Sequence, residues 1–192
     1  MFTETINGIS VSVAYTDGLF SPGGLDRGTR AMLETYPANE NDRVLDLGCG
    51  AGWVGIYASL VCGEKNAVLL DRDENAVKAA GKNAQLNGVN PLIVQSNGFF
   101  ELTETGFTLI YSNPPYQSDF AVAKHFIEKG FNRLLIGGKM VMVTKRRAWY
   151  ENKLRSIFGG VKAVEKDGYF VFISEKRRNT YAGAKTGNRE KA

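Results

Sequence analysis

Histidine and cysteine are nearly missing from this chain of 192 residues, which contains one histidine, His125, and two cysteines, Cys49 and Cys62. The cysteines stand thirteen residues apart with no partner at metal-ligand spacing. That excludes a disulfide framework or a zinc site and leaves two reduced thiols as the expectation. Long apolar runs are also lacking, and nothing approaches the roughly 20 consecutive apolar residues that span a bilayer. The first residues, Met1-Phe2-Thr3-Glu4-Thr5, have neither the basic nor the apolar part of a secretory signal, so the expected compartment is the cytoplasm, with no membrane partner. Apolar residues make up 43% of the chain, which suits a single core and one domain.

Charge of one sign is absent from the body. The formal net charge is +4, and all of it arises from 175–192, where Lys176, Arg177, Arg178, Lys185, Arg189 and Lys191 face only Glu175 and Glu190. Residues 1–174 are neutral as a set, so the expectation is a domain ending at Ser174 and a flexible basic tail. Such a tail can touch phosphates without sequence preference.

What the chain does have is a regular alternation. From Arg43 onward, short β-branched runs near 43–47, 67–70, 92–95, 108–112 and 139–144 alternate with helical stretches near 54–60, 74–86, 120–133 and 149–158. That is the pattern of an α/β fold with a mostly parallel sheet and helices on both faces. Gly88 and Gly137-Gly138 follow helical stretches and are expected to end them. Two last strands, near 161–165 and 169–174, flank Lys166-Asp167-Gly168, a hairpin turn that makes the end of the sheet antiparallel. Before Arg43, alternation at Ile9, Val11 and Val13 predicts a strand. Phe20-Ser21-Pro22-Gly23-Gly24 predicts a loop, and Asp26 an N-cap for a helix to about Thr35. This segment, 1–42, is expected to lie across the open end of the sheet.

Two motifs carry chemistry. Val44-Leu45-Asp46-Leu47-Gly48-Cys49-Gly50-Ala51-Gly52 reads as a strand, a glycine turn and a helix start. The dinucleotide pattern G-x-G-x-x-G fails here, because its third glycine would fall on Trp53. Asp46 above Gly48, Cys49, Gly50 and Gly52 suits instead a nucleoside ligand that bears an ammonium group, and S-adenosylmethionine is such a ligand. Asp71, just after the second strand, can accept from both ribose hydroxyls, while Asp73 caps the next helix. Arg72 can lie against the adenine, Asn97 can bond its edge, and Phe99 can cover a ring face.

The second motif, Ser112-Asn113-Pro114-Pro115-Tyr116, follows the fourth strand of this series. Pro114 and Pro115 stiffen the backbone and donate nothing, so nearby carbonyls are available as acceptors. The Asn113 oxygen and the Pro114 carbonyl can take the two protons of an NH₂ group conjugated to a ring or carbonyl. Its lone pair is then localised for attack on an electrophilic methyl group, and Tyr116 can stack on the flat target. His125 falls within a helix and reads as a packing residue. Lys145-Arg146-Arg147, beside Trp149 and Tyr150, reads equally well as an RNA-holding cluster and as a solvated loop.

Together these motifs resemble the class I S-adenosylmethionine-dependent methyltransferases that modify amino nitrogens. Within that class, the chain is similar to the small-subunit ribosomal RNA guanine-N2 methyltransferases in a single-domain form. The similarity rests on Gly18-Leu19-Phe20-Ser21, Leu25-Asp26-Arg27-Gly28-Thr29, Ser96-Asn97-Gly98-Phe99, Asn113-Pro114-Pro115-Tyr116 and Gly168-Tyr169-Phe170-Val171. It implies a Rossmann-like methyltransferase domain over 1–174, S-adenosylmethionine as cofactor, no metal, and RNA, ribosomal or within a ribosomal particle, as partner. It also implies that Phe20, Asp26 and Thr29 close over the methionine end of the cofactor, that Asn113 touches the cofactor as well as the target, and that Gly98 joins Asn97 at the adenine. Larger members carry a second, degenerate domain that this chain lacks. Their motif often ends in phenylalanine, and Tyr116 is shared with adenine-N6 and release-factor glutamine methyltransferases. A noncatalytic RNA-binding module on the same fold is the reading from a different class.

Overall fold

The computed structural model of the protein describes residues 1–16, 18, 24–114 and 120–183. Among the described residues, nine strands and five α-helices follow in the order β1 (Phe2–Ile6), β2 (Ile9–Val13), α1 (Arg27–Thr35), β3 (Val44–Leu47), α2 (Trp53–Cys62), β4 (Ala67–Asp71), α3 (Glu74–Leu86), β5 (Leu92–Gln95), β6 (Phe107–Ser112), α4 (Phe120–Arg133), β7 (Leu134–Thr144), α5 (Arg147–Phe158), β8 (Lys162–Lys166) and β9 (Tyr169–Glu175). Seven of them form one sheet in the order β5-β4-β3-β6-β7-β9-β8. Pairing is parallel from β5 to β7, and antiparallel where β9 meets β7 and β8. This is a doubly wound α/β sheet with a terminal antiparallel hairpin, as the alternation of elements predicts.

β3 and β4 are buried along almost their whole length, as expected for strands covered by helices on both faces. On one face Ile56, Tyr57 and Met32 pack with Tyr111 and Val141; on the other, Ile127, Phe131 and Leu154 pack with Ile110 and Met142. Strand order reverses between β3 and β6, so their C-terminal ends diverge around a crevice. Both chemical motifs sit at those ends. Among the described residues no helix is long and apolar enough to cross a membrane.

Three features differ from the sequence expectation. β1 was not expected, yet it pairs with β2 through the tight turn at Asn7-Gly8, where both residues have positive φ. Asn-Gly is the usual turn of a two-residue hairpin, so the signal was present. Asn87 and Asn83 then fasten the hairpin to α3, taking the backbone N–H groups of Ser12 and Ala14 at 2.8 and 2.9 Å. Second, Gly137-Gly138 does not end a helix. α4 stops at Arg133, and the glycines lie inside β7, where the register with β6 shifts between Phe107 and Leu109.

The third difference is a correction at the C-terminus. The expected boundary after Ser174 falls inside β9, and the chain stays packed on the domain to Gly183. Lys176 is buried, gives its Nζ to the Leu134 carbonyl at 2.8 Å and lies over Phe131. Tyr181 packs edge-on against Phe131, and its hydroxyl donates to the Glu128 carbonyl at 3.0 Å. One of the supposed tail cations is thus a core element, out of reach of a phosphate. Residues 184–192 lie outside the described part.

Candidate active site

The β3–α2 turn is built to leave space. Gly48, Gly50 and Gly52 all have positive φ, and a Cβ on Gly50 would meet no atom within 4 Å, so the backbone borders an open cavity. Gly52 is required for a different reason. As the N-cap of α2 it lies so close to α3 that a Cβ would come within 3.2 Å of the Ala80 methyl. It therefore serves packing and does not line the cavity, although the sequence reading grouped it with the ligand glycines.

Two carboxylates hold this turn. Asp71, at the end of β4, accepts from Gly50 N at 2.9 Å through one oxygen and from Asp73 N at 3.0 Å through the other. Asp73 caps α3 through Asn75 N, as expected. Asp46 is 3% exposed and accepts from Gly55 N, in the first turn of α2, at 2.8 Å. Burial pushes its carboxyl up to about 7, against the opposing effect of that hydrogen bond. Burial likewise raises the Cys49 thiol well above its ordinary value, so this side chain is a wall and not a nucleophile.

Between the ends of β3, β4, β5 and β6 lies a cavity of about 290 Å³. The glycine turn and Asp46 line its floor, with Asp71, Arg72, Asn97 and Gly98 toward one end and Asp26, Thr29, Asn113 and Pro114 toward the other. Phe99, expected to cover a ring face, is instead 4% exposed and packs in the core beneath, edge-on to Phe126. Phe126 lines the cavity, together with Val122 and Ala76. These apolar contributors were missed, because helix positions facing a ligand read like helix positions facing a core. His125 packs against Gly98, where a Cβ would fall 2.5 Å from its Nε2. Its desolvation lowers its pKa. Phe20, Pro115 and Tyr116, assigned from sequence, lie outside the described residues.

Asn113 has the most informative surroundings. Its Nδ2 donates to Asp26 Oδ2 and to Thr29 Oγ1, both at 2.9 Å. A carboxylate oxygen can only accept, so the amide is held with nitrogen toward α1 and oxygen away from it. That oxygen, Oδ1, is buried without a hydrogen-bond partner among the described residues. The same Asp26 oxygen accepts from Thr29 N at 2.9 Å as the N-cap of α1. Asp26 and Thr29 were nominated for the cofactor; in the structure they border the cavity and also tether Asn113. Ser112 Oγ donates to the Leu47 carbonyl at 2.8 Å and ties the two motif-bearing strands together.

Residues 10–174 match the methyltransferase small domain family. A ribosomal RNA small subunit methyltransferase C from Pseudoalteromonas atlantica is 31% identical over 166 residues, covering 84% of this chain and 48% of the relative. A ribosomal RNA large subunit methyltransferase G from Shewanella pealeana is 30% identical, covering 91% of this chain and 46% of the relative. The chain spans about half the length of these curated relatives. Among solved structures, a T. thermophilus 16S rRNA guanine-N2 methyltransferase in complex with AdoMet and guanosine superposes with a TM-score of 0.83. It is 27% identical, with 92% of this chain and 50% of that one covered.

Proposed function

Because this chain belongs to the methyltransferase small domain family, we propose that it transfers a methyl group from S-adenosylmethionine to an exocyclic amino nitrogen, that of guanine N2 in ribosomal RNA. The observation that carries the reading is the buried, unpartnered Oδ1 of Asn113, held at the cavity by an amide whose nitrogen is already committed. A buried acceptor without a donor is destabilising by about 1–3 kcal/mol, which a substrate N–H would relieve.

The residues present fit the cofactor. Asp71 offers carboxylate oxygens beside an open glycine backbone, and Asp46 supplies a buried anion for an ammonium group. When bound, S-adenosylmethionine supplies an electrophilic methyl group. The protein's part is alignment. Asn113 Oδ1 and the Pro114 carbonyl accept the two amino protons, which turns the nitrogen lone pair out of conjugation and toward the methyl group. Asp26 and Thr29 keep the Asn113 amide from rotating away, and Tyr116 supplies a ring for the base to stack on. The methylated nitrogen carries a positive charge and is strongly acidic, so water takes its extra proton and no strong base is needed. The names of both curated relatives, and the guanosine in the solved relative, support RNA guanine as the acceptor.

Titration calorimetry and mass spectrometry test this together. S-adenosylmethionine should bind and NAD should not, and small-subunit RNA from a deletion strain should gain N2-methylguanosine. Binding of NAD alone would remove the reaction class. Methylation of glutamine in a release factor, with every guanine untouched, would retain the mechanism and replace the substrate.

A further inference from the structure

We propose that Lys145, Arg146 and Arg147 form a phosphate-binding rail that holds the backbone of single-stranded RNA beside the Asn113 site. The inference rests on RNA being the substrate, as argued above. All three side chains are exposed, and each cation is held over a different aromatic ring. Lys145 Nζ lies 4.9 Å from the centre of Tyr169, Arg146 Cζ 5.1 Å from Phe120, and Arg147 Cζ 5.5 Å from Phe170.

These rings come from two elements, Tyr169 and Phe170 from the start of β9 and Phe120 from α4, which meet where β7 ends. Thr144, the last residue of β7, pairs with Phe170 near the start of β9, and Met142 of β7 pairs with Ser112, the neighbour of Asn113. Phe120 opens the helix that follows the catalytic motif. Tyr169 also packs on α1 at Gly28, where a Cβ would sit 2.8 Å from its ring, one residue from Thr29 and two from Asp26. Tyr169, which holds Lys145, thus packs on the same turn of α1 that holds Asn113.

Arg43 and Lys176 also lie over rings, but singly, whereas here three consecutive cations do so together. Arg30, Lys153 and Lys166 each meet a carboxylate within 2.7 Å. Among the described residues Lys145 and Arg146 make no ion pair, and Arg147 shares Glu151 with Arg155. Three adjacent cations with so little neutralisation repel one another, and an anion bound across them relieves this. Stacking a guanidinium on a ring occupies its face and leaves its N–H edge for phosphate oxygens.

The test uses the full chain, a short fluorescein-labelled single-stranded RNA of mixed sequence, and anisotropy over a series of salt concentrations. Changing Lys145, Arg146 and Arg147 together to alanine should lower the slope of log K against log salt by about 2, at roughly 0.7 per cation for single strands. S-adenosylmethionine affinity, read by calorimetry, should not change. The charge-preserving set Lys145→Arg, Arg146→Lys and Arg147→Lys should keep the slope. An unchanged slope in the alanine variant overturns the rail. So does an equal loss in the charge-preserving variant, because packing would then explain the effect. The reaction is judged separately: a wild-type chain that binds RNA in this way but methylates no guanine refutes the function and leaves the rail standing.

Discussion

The two ends of the central cavity are finished to different degrees. At the glycine-turn end, Asp71 already accepts from two backbone N–H groups and Asp46 from a third. At the other end, Asn113 has its nitrogen doubly tethered and its oxygen left without a donor. The first arrangement fixes a surface before any ligand arrives, as a site binding one invariant cofactor requires. The second withholds one hydrogen bond for an incoming group, as a site acting on a reacting nitrogen requires. Under the proposed function, preorganisation serves binding at one end and chemistry at the other, and substitutions at the two ends should separate affinity from turnover.

The largest effect is expected at the unfinished end. Asn113→Ala removes the orphan acceptor and should reduce turnover by about 10²–10³, the scale seen for a hydrogen bond made at a reacting group. S-adenosylmethionine affinity should stay near wild type, because the glycine turn and Asp71 are untouched. Single-turnover kinetics with calorimetry on the same preparation would check both. Full turnover in the variant would remove Asn113 from the chemistry.

A smaller loss should follow from weakening a tether. Thr29→Val is nearly isosteric and deletes the hydroxyl that accepts from Asn113 Nδ2 at 2.9 Å, leaving Asp26 in place. One neutral hydrogen bond corresponds to about three- to tenfold in rate, which should appear in kcat and not in cofactor affinity. Thr29→Ser should restore it. If cofactor affinity falls while kcat holds, Thr29 serves the methionine end of the cofactor, as the sequence resemblance implies.

The same contrast explains what could be read in advance. The sheet and its helices were legible because buried parallel strands are short β-branched runs and their helices carry their own period. The glycine turn and the Asn-Pro-Pro motif were legible because their chemistry is local. The Asp26–Asn113 contact joins residues far apart in the chain, and nothing local distinguishes a helix cap from a cap that also holds a distant amide. Phe126 in the cavity wall and Lys176 in the core were illegible for a related reason. Burial of a long cation depends on a carbonyl and a ring supplied by distant elements, here Leu134 and Phe131. By contrast β1 could have been read, since Asn7-Gly8 announces its hairpin.

The finished end should reveal itself through pH. Asp46 is driven up to about 7 by desolvation, with Gly55 N holding it down in part. The sign follows from proton counting. The folded, ligand-free domain keeps a proton that an unfolded chain has already lost above the ordinary value of 3.8. This group's contribution to stability is therefore full below that value and fades as pH rises toward about 7. A bound ammonium group favours the ionised carboxylate, so cofactor affinity should move the opposite way and rise over the upper part of the same range. Between about pH 6 and 7.5, below the point where an α-amino group itself loses its proton, the gain should be several-fold and no more than about eightfold. Calorimetry in two buffers of different ionisation enthalpy should show proton release on binding near pH 6.5. Asp46→Asn, which still offers an oxygen to Gly55 N, should abolish both the release and the pH dependence. An affinity flat across that window in the wild type would mean that Asp46 orders α2 and does not sense the cofactor's charge, and the finished end would then be finished by Asp71 and the glycine backbone alone.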